Sequence, residues 1–99
     1  METVVKTLER CYSDLSTRLQ YLELVTRLQS AGTITFIERQ IIEAETMDFK
    51  KNGKLVELLM RKNVAAFESF LSALSETGQD HIRTYLIETG QAIEAESLR

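Results

Sequence analysis

AAFESFLSALSETGQDHI, from Ala65 to Ile82, is the most legible run in this chain. Phe67, Phe70, Leu71 and Leu74 recur at three- and four-residue spacing, the period that lines apolar side chains along one helix face. Ser75, Thr77, Gly78 and Gln79 interrupt that period, and a new amphipathic segment starts at Asp80. A helix carrying two phenylalanines, a Gly-containing break and another helix are the parts of a compact bundle. Such a chain is expected to work through its surface rather than through a pocket.

The same period recurs on the N-terminal side of this run. Val5, Leu8, Tyr12, Leu15 and Leu19, with Cys11 beside them, predict a first helix. Ser13, Asp14 and Ser16 bond readily to nearby backbone and weaken a helix interior, so a bend or break is expected near Tyr12 to Ser16. Tyr21 to Ala31 presents Leu22, Val25 and Leu28, with Leu24 alongside, and closes on Gly32. Thr35 stands three residues before Glu38, a capping box opening a third helix that is expected to bury Ile37, Ile41 and Ala44. Asp48 is the candidate cap of a fourth helix, which turns Leu55, Val56, Leu58 and Leu59 inward and carries Gly53 inside its pattern.

Asn63 caps the fifth segment, and Gln79 or Asp80 opens a sixth with Ile82, Tyr85 and Leu86 facing in. The expected core is Leu8, Leu15, Leu28, Ile41, Leu55, Leu59, Phe67, Phe70, Leu71, Leu74 and Leu86. The fold class that follows is all-α, a six-helix antiparallel bundle with its first helix bent or broken. Residues 1–90 form the domain, and 91–99 a C-terminal extension or linker. Each helix is shorter than what is stable alone in water, so all of them depend on packing.

Composition agrees. At 99 residues and 43% hydrophobic, the chain suffices for one domain with one modest core. Three of its four glycines fall at or near breaks in the period, as helix-closing glycines do, and alternating β-rich runs are missing. A net charge of −3 weighs against nucleic-acid binding driven by phosphate neutralisation. No apolar run approaches the roughly 20 residues of a membrane span, and Met1-Glu2 does not open a signal peptide. The lone Cys11 excludes an intrachain disulfide and suits a reducing, cytoplasmic setting.

Catalysis finds little support. Cys11 and the single His81 are the one conceivable nucleophile–base pair, but they match no motif, and Cys11 lies in the apolar stripe, where it reads as a small hydrophobe. A metal site needs three or four ligands, and no glycine loop of the phosphate-cradling kind is present. The expectation is a protein that is not an enzyme, with no cofactor and no metal.

The charges are more informative. Lys50, Lys51 and Lys54 crowd the start of the fourth helix, and Arg61 and Lys62 its end. Lys50 and Lys54 share a helix face, as Lys6 and Arg10 do. Glu38, Glu43 and Glu45 decorate the third helix and Glu23 the second. Against the plain reading of solvated helix surface, this segregation offers a basic face and an acidic face.

Taken together, the broken first helix, the basic start of the fourth, Leu55, Leu58 and Leu59, and FESFLSALSETGQDHI resemble a caspase recruitment domain of the death-fold superfamily, over about residues 2 to 89. Phe67 to Leu86 is the most specific part. Phe70 to Gln79 is similar to the corresponding stretch of initiator-caspase prodomains. Leu8, Cys11, Leu15 and RQIIEAE look like the N-terminal recruitment domain of membrane-associated guanylate-kinase scaffolds.

The resemblance implies a Greek-key-like death fold and a non-enzymatic adaptor for apoptotic, innate-immune or scaffold signalling. It binds another such domain, or itself, and grows head-to-tail into an oligomer or filament. Carried over by position, the basic side is Arg10, Lys50, Lys51 and Lys54, and the acidic side Glu23, Glu38 and Glu43. Thr26 stands where the second helix of the family often has a carboxylate. The alternative is a structural self-association domain of a larger scaffold that pairs through apolar surface, with the charges serving solubility.

Overall fold

The computed structural model describes residues 2–98, and six helices account for most of them: α1 (Glu2–Arg18), α2 (Tyr21–Ser30), α3 (Phe36–Glu43), α4 (Asp48–Met60), α5 (Val64–Glu76) and α6 (Asp80–Ser97). No strand occurs among the described residues. The all-α six-helix bundle is the architecture its sequence predicts.

Local chemistry sets the helix ends. The Thr35 hydroxyl accepts from the Glu38 N–H while the Glu38 carboxylate accepts from the Thr35 N–H, closing the expected capping box. Asn63 Oδ1 accepts from the Ala66 N–H and caps α5. Asp48 is not the cap of α4; that position is held by Met47, with no side-chain cap bond. α2 and α5 end alike, with Gly32 at φ 79° and Gly78 at φ 76°. Thr33 N–H reaches back to Leu28 O and Gln79 N–H to Leu74 O, the Schellman closure that wants a residue without Cβ.

α1 contains no break. Two of the residues that weaken its middle in isolation, Asp14 and Ser16, meet partners on other helices, as does Tyr12 beside them. Tyr12 donates its hydroxyl to Glu57 on α4, Asp14 accepts from Tyr85 on α6, and Ser16 is buried with its carbonyl bound by Asn52. Packing overrides propensity here. α6 likewise runs on through Gly90, over most of the 91–99 stretch, and buries Ile93. Gly90 therefore lies within a helix and not at a break.

The core forms where α1 packs against α4 and α6, with α2 and α5 closing it. Leu8, Cys11, Leu15, Leu24, Leu28, Leu55, Leu59, Phe70, Leu74 and Leu86 are all buried. Phe67 and Leu71 are only partly buried and lean on the core from outside. Ile41, expected inside, is 50% exposed, and Ile37 and Ala44 are exposed with it. Ile42 and Ile34 are buried in their place.

α1 and α4 run antiparallel, since Tyr12 meets Glu57 while Ser16 and Leu19 meet Asn52. They approach closely at Gly53, where a Cβ would lie 2.5 Å from the Tyr12 hydroxyl oxygen and 3.2 Å from Cζ. A larger residue at Gly53 would have to displace the Tyr12 ring end that packs there. Two buried amides fix the α1–α2 junction. Asn52 Nδ2 donates to the Ser16 and Leu19 carbonyls, and Gln79 Oε1 accepts from the Gln20 N–H. Backbone groups that a helix end leaves without partners are satisfied by side chains distant in sequence.

Candidate interaction surface

α4 turns Asn52, Gly53, Leu55, Val56 and Leu59 inward. The opposite stripe carries Lys50 and Lys54, one turn apart. Among the described residues neither makes an ion pair within the chain. Lys51 sits to one side of that stripe, with Nζ 5.6 Å from the centroid of the Tyr21 ring, a cation–π distance. It shares a shallow cleft with Glu43 and Asp48, so its charge is partly answered at home.

Arg10, the fourth basic residue, reaches Glu96 on α6 with Nη1–Oε1 at 3.3 Å and Nη2–Oε2 at 3.2 Å. The bond to that carboxylate raises the guanidinium pKa further. Both partners are half exposed, so the pair is a solvated one that contributes little to stability.

The acidic set divides more sharply. Glu38 accepts from Lys62 Nζ at 3.0 and 2.9 Å while it also closes the α3 capping box. The Lys62 bond, followed by the Thr35 N–H, holds its carboxyl below the usual range. Glu43 accepts from Arg39 Nε at 2.7 Å and from the Tyr21 hydroxyl at 3.3 Å. Arg39 lowers the Glu43 carboxyl pKa, while burial and then Glu43 raise that of the Tyr21 phenol. Glu23 alone of the three is exposed with no ion pair among the described residues. Thr26, a turn away on α2, is exposed as well.

The structure thus places the basic candidates on α1 and α4 and the acidic ones on α2 and α3, and it gives Glu38 and Glu43 partners within the chain. Arg39, Tyr21 and Glu96 are the partners that sequence reading did not bring in. Arg39 and Glu43 are four apart on one helix, a spacing that signals a pair. The link between Arg10 and Glu96 spans most of the chain and leaves no local trace.

No helix among the described residues is long and apolar enough to cross a membrane. A family model described as "Caspase recruitment domain" matches residues 5–88. Among curated proteins the chain is similar to Caspase-2 of Gallus gallus, 28% identical over 79 residues, which is 80% of this chain and 19% of that relative. The chain therefore spans about a fifth of the length of that relative.

Proposed function

This chain belongs to the caspase recruitment domain family, and on that premise we propose that it recruits another such domain, or its own copy, through oppositely charged faces. The family is one of protein–protein interaction modules, not catalysts, and its members bind one another. In this reading a basic surface of Arg10, Lys50, Lys51 and Lys54 meets an acidic surface of Glu23, Glu38 and Glu43 on the neighbour. The role is that of a signalling adaptor, and the lone buried Cys11 suits the reducing cytoplasm.

One observation carries this reading: Lys50 and Lys54 stand a turn apart on the outward stripe of α4, without an ion pair among the described residues, while the opposite face is core. An unanswered pair of like charges on a rigid helix steers encounter and sets register. Glu23 is the matching free carboxylate. Arg10, Glu38 and Glu43 contribute only by exchanging an internal partner for an external one. Because the two faces differ, contact is head-to-tail, and it grows into an open assembly unless the rotation closes.

The test is Lys50→Glu with Lys54→Glu, measured as binding to the partner domain or to itself. Loss of association with an unchanged circular dichroism spectrum and melting point is expected, because reversal turns attraction into repulsion without touching the core. Association of the parent should also fade as the Debye length shrinks from roughly 10 Å at 0.1 M salt to roughly 3 Å at 1 M. Rescue should come from Glu23→Lys on the partner copy. Glu38→Lys is the wrong rescue, since it would remove the carboxylate that accepts from the Thr35 N–H and from Lys62. A double reversal that binds like the parent at low salt ends the charge-complementary reading.

A further inference from the structure

Asn52-Gly53 is a chemically labile dipeptide that α4 keeps folded away. Asparagine before glycine deamidates readily, because a residue without a side chain leaves its amide nitrogen open to attack the neighbouring carboxamide. Asn63, the other asparagine, precedes the β-branched Val64 and lacks that opening. Lys51 and Lys54 flank the dipeptide, and their charges favour the deprotonated Gly53 nitrogen that attacks.

The fold withholds what that reaction needs. Asn52 is 2% exposed, and its Nδ2 donates to the Ser16 and Leu19 carbonyls at 3.0 Å each, which pins the carboxamide and opposes the departure of ammonia. Asn52 Oδ1 has no hydrogen-bond partner, so nothing there stabilises the charge that an attacked carboxamide develops. Helical backbone holds Gly53 N away from Asn52 Cγ and commits its N–H one turn back. Yet this end of α4 is the one suited to opening. Met47 supplies no side-chain cap, Gly53 weakens a helix interior, and Lys50 and Lys54 are like charges one turn apart.

We propose that Asn52-Gly53 is a deamidation site gated by the fold, which turns opening of the first turns of α4 into irreversible loss of the domain. In the opened segment Gly53 N attacks Asn52 Cγ, its proton passes to water, and Nδ2 leaves as ammonia, closing a succinimide. Water then opens the ring at either carbonyl and leaves aspartate or isoaspartate at position 52. The net change is amide plus water to carboxylate plus ammonium, with no oxidant, metal or enzyme required. Neither product fits the folded site. A carboxylate only accepts, so it would face the Ser16 and Leu19 carbonyl oxygens as a buried, unpaired charge. Isoaspartate also adds a carbon to the main chain and shifts α4 out of register at Gly53, where the Tyr12 hydroxyl leaves no room. Lys50 and Lys54 sit on the same turns, so their stripe is lost with the fold whatever it binds.

The experiment incubates the whole chain near neutral pH in native buffer, in urea below the unfolding transition and in urea above it. Peptide mapping by mass spectrometry follows Asn52 and Asn63. Above the transition Asn52 should convert about tenfold or more faster than Asn63, and Gly53→Ala should remove most of that advantage. The native chain should convert about a hundredfold or more slower than the unfolded one, since reaction waits on the open fraction. Below the transition the rate should rise with urea in step with hydrogen exchange of the Asn52 to Leu55 amides. Converted chains should fail to refold when urea is removed. The proposal is overturned if Asn52 and Asn63 convert alike in the unfolded chain or if the native rate matches the unfolded one. It is equally overturned if urea below the transition leaves the rate flat, or if converted chains refold to the parent's melting point.

Discussion

Helices α5 and α3 start alike and are used oppositely. Each opens on a side chain that accepts a backbone N–H three residues on, Asn63 for α5 and Thr35 for α3. Each carries apolar residues one turn apart: Phe70 and Leu74 in α5, Ile37 and Ile41 in α3. Phe70 and Leu74 are fully buried, and α5 packs on both α2 and α6. In α3 the corresponding pair faces water, and Ile42 with the preceding Ile34 anchors the segment.

Glu38 and Arg39 lie on the same side as Ile42 and bind Lys62 and Gln29, which fixes the rotation of α3 about its axis. An amphipathic period establishes that an apolar stripe exists. Neighbours decide what the stripe faces.

Phe70→Ala should break this contrast most severely. Emptying a fully buried ring costs about 3–5 kcal/mol, a large share of what a small domain has, and each kcal/mol moves the melting point by roughly 4–8 °C. Leu71→Ala, on the partly buried flank of the same helix, should cost clearly less. Thermal melts of the two variants that coincide would mean the inner face of α5 is misassigned.

Ile42→Ala should come next, at about 2 kcal/mol or somewhat more, because it removes the single buried anchor within α3. Native-state hydrogen exchange should show the loss first in α3 amides, ahead of α5. Uniform acceleration across both helices would show that α3 is not an independent weak point.

A smaller effect is expected for Glu38→Ala, about 1 kcal/mol from the lost acceptor of the Thr35 N–H and the lost Lys62 bond. Its pH dependence is distinctive. The Glu38 carboxyl is lowered in the folded state from 4.5 by Lys62 and the Thr35 N–H. Its contribution is thus present above the unfolded value and is lost as pH falls through the folded one. The stability gap between parent and variant should be full near neutrality and narrow below about pH 4.5. Urea titrations at several pH values check this, and a gap that stays constant into acid would remove Glu38 as the tether.

Ile37→Ser and Ile41→Ser should have the smallest effect on stability, each within about 0.5 kcal/mol, since neither buries its side chain in the monomer. Denaturant melts in dilute solution read this directly. A cost near that of Ile42→Ala would place the ridge inside the fold and erase the contrast with α5.

Much of this could be read from the residues alone. The all-helical class, the helix count, the caps at Thr35 and Asn63, the closing glycines Gly32 and Gly78 and most of the core follow from spacing and local hydrogen-bond chemistry, which act within one or two turns. The candidate basic surface was legible for the same reason, since Lys50 and Lys54 share a face by spacing. Three outcomes belong to the tertiary structure. α1 stays whole where Tyr85 and Asn52, from other helices, bind the Asp14 carboxylate and the Ser16 carbonyl. Glu38 loses its freedom to Lys62, past the end of α4, and Glu43 accepts from Tyr21 on α2. α3 turns its isoleucine ridge to water because Ile34, Ile42 and two flanking polar bonds hold its other side. Each depends on groups brought together from other elements, and a helical period carries no information about which neighbour its stripe will meet.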